Sequence, residues 1–254
     1  MPRMVGGVKY EHGHRMIAGT VVILTVTLAL WLWRSEERRW VRRLGGLAVL
    51  TIICQATLGG ITVLYFLPVD ISVAHACLAQ LFFCMMVSIA LFTNPDWQWD
   101  RLKLQDSSTP SLAHLSVATT VVMFVQLLLG AAFRHHSFGI IPHILVAALV
   151  TISVFWLLFR VLFEFRSESQ LERPTLLLTA LLLVQILLGV GSYLMILETQ
   201  GAPQPLSPVV AVRTAHVAVG ALLLASSLFL TFRYVAAASG ASDEEISIAK
   251  EART

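Results

Sequence analysis

LGGLAVLTIICQATLGGITVLYF, residues 44–66, is a run of 23 residues without one charged side chain. A hydrocarbon core about 30 Å thick needs roughly 20 apolar residues to be crossed as a helix. The run therefore predicts a membrane span. Working outward, six more stretches qualify: 15–33, 72–93, 112–133, 141–164, 174–196 and 210–232. Ten-residue apolar/polar alternation, the mark of a barrel strand, is absent from the sequence. The opening MPRMVGGVKYEHGHR has neither the apolar region nor the small-residue site of a cleavable signal. The fold expected is all-α, a polytopic transmembrane helical bundle of seven spans.

Composition agrees. Hydrophobic residues make up 57% of the 254, charged residues only 13%, and mean hydropathy is +0.77. A soluble domain runs nearer half apolar and a quarter charged, so an ordinary cytosolic enzyme is excluded. Three cysteines and 15 glycines exclude a disulfide scaffold and a collagen-like repeat. The net charge of +3 comes from basic residues in short loops between apolar runs, which marks membrane orientation; no nucleic-acid partner is expected. Thirteen Lys and Arg fall on one side, including Arg34, Arg38, Arg39, Arg42, Arg43, Arg101, Lys103, Arg160, Arg166 and Arg173. Five fall on the other: Arg3, Lys9, Arg15, Arg134 and Arg213. The positive-inside rule puts the N-terminus outside and the C-terminus inside, in contact with membrane lipids throughout. Tyr10, Tyr65 and Tyr193 then form an outer aromatic belt, and Trp31, Trp33, Trp40, Trp97 and Trp99 an inner one.

Three spans share the pattern Gln-x-x-Leu-Gly: Gln55 to Gly59, Gln126 to Gly130, and Gln185 to Gly189. The alternate spans carry a histidine at the outer end: His14, His75, His143 and His216. Spans one to three thus repeat as spans five to seven. The expected architecture is a pseudo-repeat of two four-helix units with the first helix missing. Its parts are a three-helix half over 1–93, a cytoplasmic linker over 94–110, a four-helix half over 111–235 and a polar cytoplasmic tail over 236–254, solvated as a short helix or disordered.

A single histidine near a helix end is ordinarily interfacial, bonded to headgroups or backbone. Four at matching depth on alternate spans point to ligation instead. Paired as His14 with His75 and His143 with His216, they form the ligand sets of two six-coordinate haem irons. A small residue follows each one turn on (Ala18, Ala79, Ala147, Gly220), which leaves room for a porphyrin edge. Zinc or copper would need three or four converging ligands, and no such spacing exists. Cys54, Cys77 and Cys84 read as small buried hydrophobes.

Glu11 shares a helical face with His14 and Arg15. It either complements the helix dipole and pairs with Arg15, or serves as a proton-accepting carboxylate beside the first iron. Arg15, Arg134 and Arg213 are candidates to pair with haem propionates, or simply snorkel to headgroups.

Tyr-Glu-His-Gly-His-Arg (10–15), Gln-Ala-Thr-Leu-Gly-Gly-Ile-Thr-Val (55–63), Leu67-Pro68 and His75-Ala76 resemble the haem A synthase family. Gln126-x-x-Leu-Gly-Ala, His143, Gln185-x-x-Leu-Gly and His216 look like the second four-helix unit of that family. The resemblance spans about residues 5–235 and implies a bacterial cytoplasmic-membrane oxidoreductase that converts the C8 methyl of haem O to a formyl, giving haem A. It implies haem O as substrate at His14 and His75, with Glu11 assisting oxidation, and haem b held by His143 and His216. Haem O synthase and a terminal oxidase are the partners it implies. Two alternatives stay open: a dihaem bis-His cytochrome for electron transfer, which needs no role for Glu11, and a non-catalytic haem-handling assembly subunit.

Overall fold

A computed structural model of the chain describes residues 7–94, 104–166, 168–202 and 206–251, with the side chains of 7–10 and 239–251 outside that description. Seven helices follow one another: α1 (Gly7–Ser35), α2 (Arg39–Leu64), α3 (Val69–Thr93), α4 (Leu112–Arg134), α5 (Ile141–Glu164), α6 (Ser169–Glu198) and α7 (Ser207–Glu251). Each is long and apolar enough to cross a membrane, and no strand occurs among the described residues. The chain is an all-helical, multi-pass membrane protein. Trp97, Trp99, Arg101 and Lys103, named above for orientation, lie outside the described residues, as does most of the 94–110 linker.

Helix ends follow from local chemistry. Ser111 caps α4 by accepting the His114 N–H, and its hydroxyl meets His114 Nδ1 at 2.7 Å, so that histidine belongs to a helix start. Pro142 opens α5, where a missing N–H costs nothing. Past the end of α2 the chain turns through Phe66 and Leu67 at positive φ, and the Leu67 N–H bonds the Thr62 carbonyl at 2.8 Å. Past α4, His136 takes the positive φ and Ser137 N–H bonds the Ala132 carbonyl at 2.9 Å. Both are wrapped helix stops in which a later N–H satisfies an orphaned carbonyl. His135 and His136 thereby shape a turn. The final helix runs without a break to Glu251 through the stretch expected as a separate tail, which carries helix formers and no proline.

The chain divides into two compact units, each considered alone: Met1–Phe92 with Leu187–Ala218, and Thr93–Ile186 with Val219–Thr254. In the first, α1 lies along α2. Leu32, Val41, Ala48 and Ile89 form its core, with Leu28, Leu44, Phe82, Met85 and Met86 packed against them. Gly45 allows the close approach, since a Cβ there would sit 3.0 Å from Leu32 Cδ1. Arg38 holds the α1–α2 turn: it pairs with Glu36 at 2.7 Å and donates to the Phe92 carbonyl at 2.8 Å. Its guanidinium keeps the Glu36 carboxyl down at about 2.

In the second unit α4 lies along α5. Leu112, Leu115, Val154, Leu157, Val161, Leu171, Leu178 and Leu230 are buried there. Hydroxyls join the helices: Thr120 bonds Ser227 at 2.7 Å and Thr231 at 2.9 Å, and Thr175 bonds the buried Tyr234 hydroxyl at 2.8 Å. Lipid offers no hydrophobic drive between apolar helices, so such bonds and close packing hold the bundle. Buried Arg160 ties the linker to α5, pairing with Asp106 at 2.8 Å and Glu164 at 2.6 Å and donating to the Pro110 carbonyl. Many large side chains remain open to the surroundings, Trp33 (72% exposed) and Phe163 (81%) among them, as a lipid-solvated surface requires.

Candidate functional site

Three helical hairpins present the same contact. A Cβ at Gly59 of α2 would lie 3.1 Å from His75 Cε1 of α3. At Gly130 of α4 it would lie 2.9 Å from His143 Cε1 of α5, and at Gly189 of α6, 3.0 Å from His216 Cε1 of α7. Each glycine of a Gln-x-x-Leu-Gly turn is thus the seat of the imidazole on the following helix, and any side chain there would displace the ring.

In antiparallel helices, glycine opposite histidine brings the residue four before the glycine opposite the residue four after the histidine. That puts Gln55 level with Ala79, Gln126 with Ala147 and Gln185 with Gly220. In the third hairpin a Cβ at Gly220 would meet Gln185 Nε2 at 3.0 Å. The small residue one turn past the histidine, expected to make room for a porphyrin edge, makes room there for the glutamine amide.

The glutamines also reach the rings. Gln55 Nε2 lies 3.4 Å from His75 Nε2, and Gln126 Nε2 lies 3.3 Å from His143 Nε2. His143 Nδ1 donates to the main-chain carbonyl of Gln126 at 3.2 Å. With its proton on Nδ1, the ring carries its lone pair on Nε2, the form in which imidazole binds a metal.

His14 and His75 come together within the first unit. Their ring centroids are 6.5 Å apart and the planes stand at 82°. Two metal–nitrogen bonds of about 2 Å, with about 1 Å from each nitrogen to its ring centre, would put centroids about 6 Å apart. The observed 6.5 Å is close to that sum, so the ring centres stand at about the distance two ligands of one metal ion would have. Several polar atoms of this unit are buried with no hydrogen-bond partner: His75 Nδ1, Gln55 Oε1, Ser72 Oγ and Gln80 Oε1. Buried polar groups left unsatisfied are uncommon and call for an explanation. Ser72, three residues before His75 and so on its face of α3, is the residue sequence reasoning missed; its only signal is polarity within an apolar span. No three His, Cys, Asp or Glu converge among the described residues. A two-imidazole site needs its remaining ligands from a macrocycle, and on spacing and donor type the residues fit a haem.

The other expected residues fall as follows. Glu11 and Arg15 pair at 2.7 Å on the exposed face of α1, with Glu11 51% exposed; His14 is also exposed. Arg134 is exposed at the end of α4 and Arg213 half-buried on α7. His143 belongs to the second unit and His216 to the first, both half-buried.

Residues 6–87, covering α1, α2 and most of α3, match the family model COX15-CtaA, cytochrome oxidase assembly protein. A heme A synthase of Lysinibacillus sphaericus (strain C3-41) is 27% identical over 134 residues, which is 52% of this chain and 43% of the relative. The matched part thus spans less than half of that relative's length.

Proposed function

From a chain that resembles the haem A synthase family, we propose a membrane oxidoreductase acting on haem O, whose C8 methyl is oxidised to the formyl of haem A. What carries this reading is the His14–His75 spacing of 6.5 Å, which suits a single iron held by two imidazoles. The haem would supply the redox-active iron; the chain's own residues supply placement and charge. His75 is held against Gly59 while His14 stands on the exposed face of α1, so one ligand is fixed and the other accessible. Glu11, three residues before His14, is the group that takes up a proton at the outer membrane edge. Arg15 holds that carboxylate in place at 2.7 Å, and Arg15, Arg134 and Arg213 are proposed to pair with propionates. His143 and His216, each seated on the glycine of its own hairpin, are proposed as ligands of haem b. The arginine distribution supports a bacterial cytoplasmic membrane with the N-terminus outside and the C-terminus inside. Haem O synthase and a terminal oxidase are the partners this activity would need.

A second reading keeps the histidines as ligands and gives Glu11 no chemistry: a dihaem cytochrome for electron transfer. The exposed Glu11–Arg15 pair favours it, since a carboxylate so engaged is an ordinary surface ion pair. Pigment extracted from the purified protein separates the two. Haem A or a hydroxymethyl precursor is expected; haem B alone, with reversible redox behaviour, overturns the synthase and leaves the cytochrome. No haem of any kind, and none taken up on addition, overturns both and leaves a non-catalytic assembly subunit. Glu11→Gln is expected to abolish conversion of haem O with bound haem and stability unchanged, because an exposed pair contributes about 0–1 kcal/mol. Conversion at the wild-type rate would remove Glu11 from the chemistry.

A further inference from the structure

We propose that Gln126 and Gln55 are positioning residues whose side-chain amides cover the iron-binding nitrogens of His143 and His75 and must yield them when haem binds. The proposal rests on the reading of these histidines as haem ligands. In the α4–α5 hairpin one residue addresses both ring nitrogens: the Gln126 carbonyl takes the Nδ1 proton at 3.2 Å, and the Gln126 amide nitrogen lies 3.3 Å from Nε2. The carbonyl fixes the tautomer; the amide donates to the lone pair that this tautomer leaves. The α2–α3 hairpin repeats the second contact, Gln55 Nε2 to His75 Nε2 at 3.4 Å. Gln55 Oε1 and Gln126 Oε1 are both buried without a hydrogen-bond partner, so neither amide is anchored anywhere but on the imidazole. A side chain held at one end only can swing aside.

The two functions of the glutamine separate by mutation. Substituting the Gln126 side chain leaves its main-chain carbonyl, which keeps the His143 ring oriented, and removes the competitor at Nε2; at Gln55 the contact with Gly59 keeps the His75 ring in place. A support to a ligand usually strengthens binding, so deleting it weakens the metal site. A cover acts in the opposite direction. Releasing one hydrogen bond of ordinary net strength corresponds to about a two- to twelvefold change in an equilibrium constant.

The test measures partition of haem b between the full-length, detergent-solubilised protein and a competing globin, with the bis-imidazole absorption spectrum recorded alongside. Gln126→Leu is expected to retain that spectrum and to hold haem b severalfold more tightly than wild type, and Gln55→Leu to do the same for haem O, partitioned in the same way. Gln126→Glu is expected to hold it less tightly, because a carboxylate accepts but does not donate and favours a proton on Nε2, where iron needs the lone pair. Weaker binding or no change in both leucine variants, with wild type showing the bis-imidazole spectrum, would overturn the cover and leave the ligand reading standing. Wild-type protein that takes up no haem b overturns the ligand reading and this proposal with it.

Discussion

Gly130→Ala tests whether the glycine seat fixes the imidazole. A Cβ there would lie 2.9 Å from His143 Cε1, whereas carbon atoms at optimal separation stand about 3.5–4.0 Å apart. The ring must therefore retreat by about 0.6–1.1 Å, which exceeds the roughly 0.5 Å within which a functional constellation has to be held. Retreat also lengthens the 3.2 Å bond from Nδ1 to the Gln126 carbonyl, loosening the group that sets the tautomer. Disturbing such outer partners ordinarily costs about 10–100-fold in metal affinity, equivalent to about 1.4–2.7 kcal/mol. The substitution does not weaken α4 itself, since alanine is favoured over glycine within a helix by roughly 0.5–1 kcal/mol. Loss of haem with thermal stability unchanged or raised is thus the expected pair of results, read from haem content and a melting curve of the same sample. Gly60→Ala is the internal control: it neighbours the seat glycine Gly59 on α2, yet nothing lies within 4 Å of its Cβ position. Wild-type haem content and spectrum in Gly130→Ala, or equal losses in Gly130→Ala and Gly60→Ala, would refute the seat.

The remaining predictions concern the second unit. Asp106 lies in the linker, where burial pushes its carboxyl up but the Leu112 N–H, Arg160 and the Ser108 N–H together pull it below the ordinary carboxylate value. The stabilisation from a depressed carboxyl is complete above that ordinary value and is lost as pH falls through the depressed one. Acid melting curves should therefore fall more steeply for wild type than for Asp106→Asn. At neutral pH that variant should be less stable by about 1–3 kcal/mol, with Glu164 still paired to Arg160. Tyr234→Phe removes one hydroxyl from the Thr175 bond while Thr175 still bonds the Leu171 carbonyl at 2.6 Å. The loss should be about 0.6–1 kcal/mol, measured by thermal unfolding in detergent; a loss several times larger would mean that Tyr234 holds more than this bond.

The spans were legible because lipid imposes a simple condition: a run such as 44–66 cannot carry charge and remain in hydrocarbon. Helix ends were legible to a few residues where an apolar run stops, as in the stretch 112–133 against the helix Leu112–Arg134. The continuation of α7 was not, since a polar stretch rich in alanine and glutamate reads equally as a solvated helix and as disorder. At the site, Gln-x-x-Leu-Gly and the following histidine were visible as a repeat, but not as a contact. Which residue of one helix faces which of the next is a matter of register, which a reader of the sequence would have to count through the length of the intervening turn. That length differs between hairpins: Gly59 and His75 are separated by more residues than Gly130 and His143, and Gly189 and His216 by still more. Arg160 was read as one more charge marking the cytoplasmic side; its burial against Asp106, far away in sequence, could not be read from spacing.

The same glycine-on-imidazole contact recurs in three hairpins with turns of different length, so the turns do not produce it. What the hairpins share is the pair of small and large residues at matched positions: glycine under histidine, and Gln185 over Gly220 in the third. An α-helix offers such a hole only where a side chain is missing, and an imidazole that fills one loses most of its freedom to turn. The orientation of His75, His143 and His216 is therefore a property of each hairpin, set before any ligand is considered. His14 has no such seat in the described structure; its ring stands on the exposed face of α1, its plane at 82° to that of His75. If His14 and His75 are the ligands proposed, a site with one ring fixed by packing and the other on an open face suits a molecule that must enter, be held in one orientation and leave again. That is what a haem substrate requires and a permanently held haem does not.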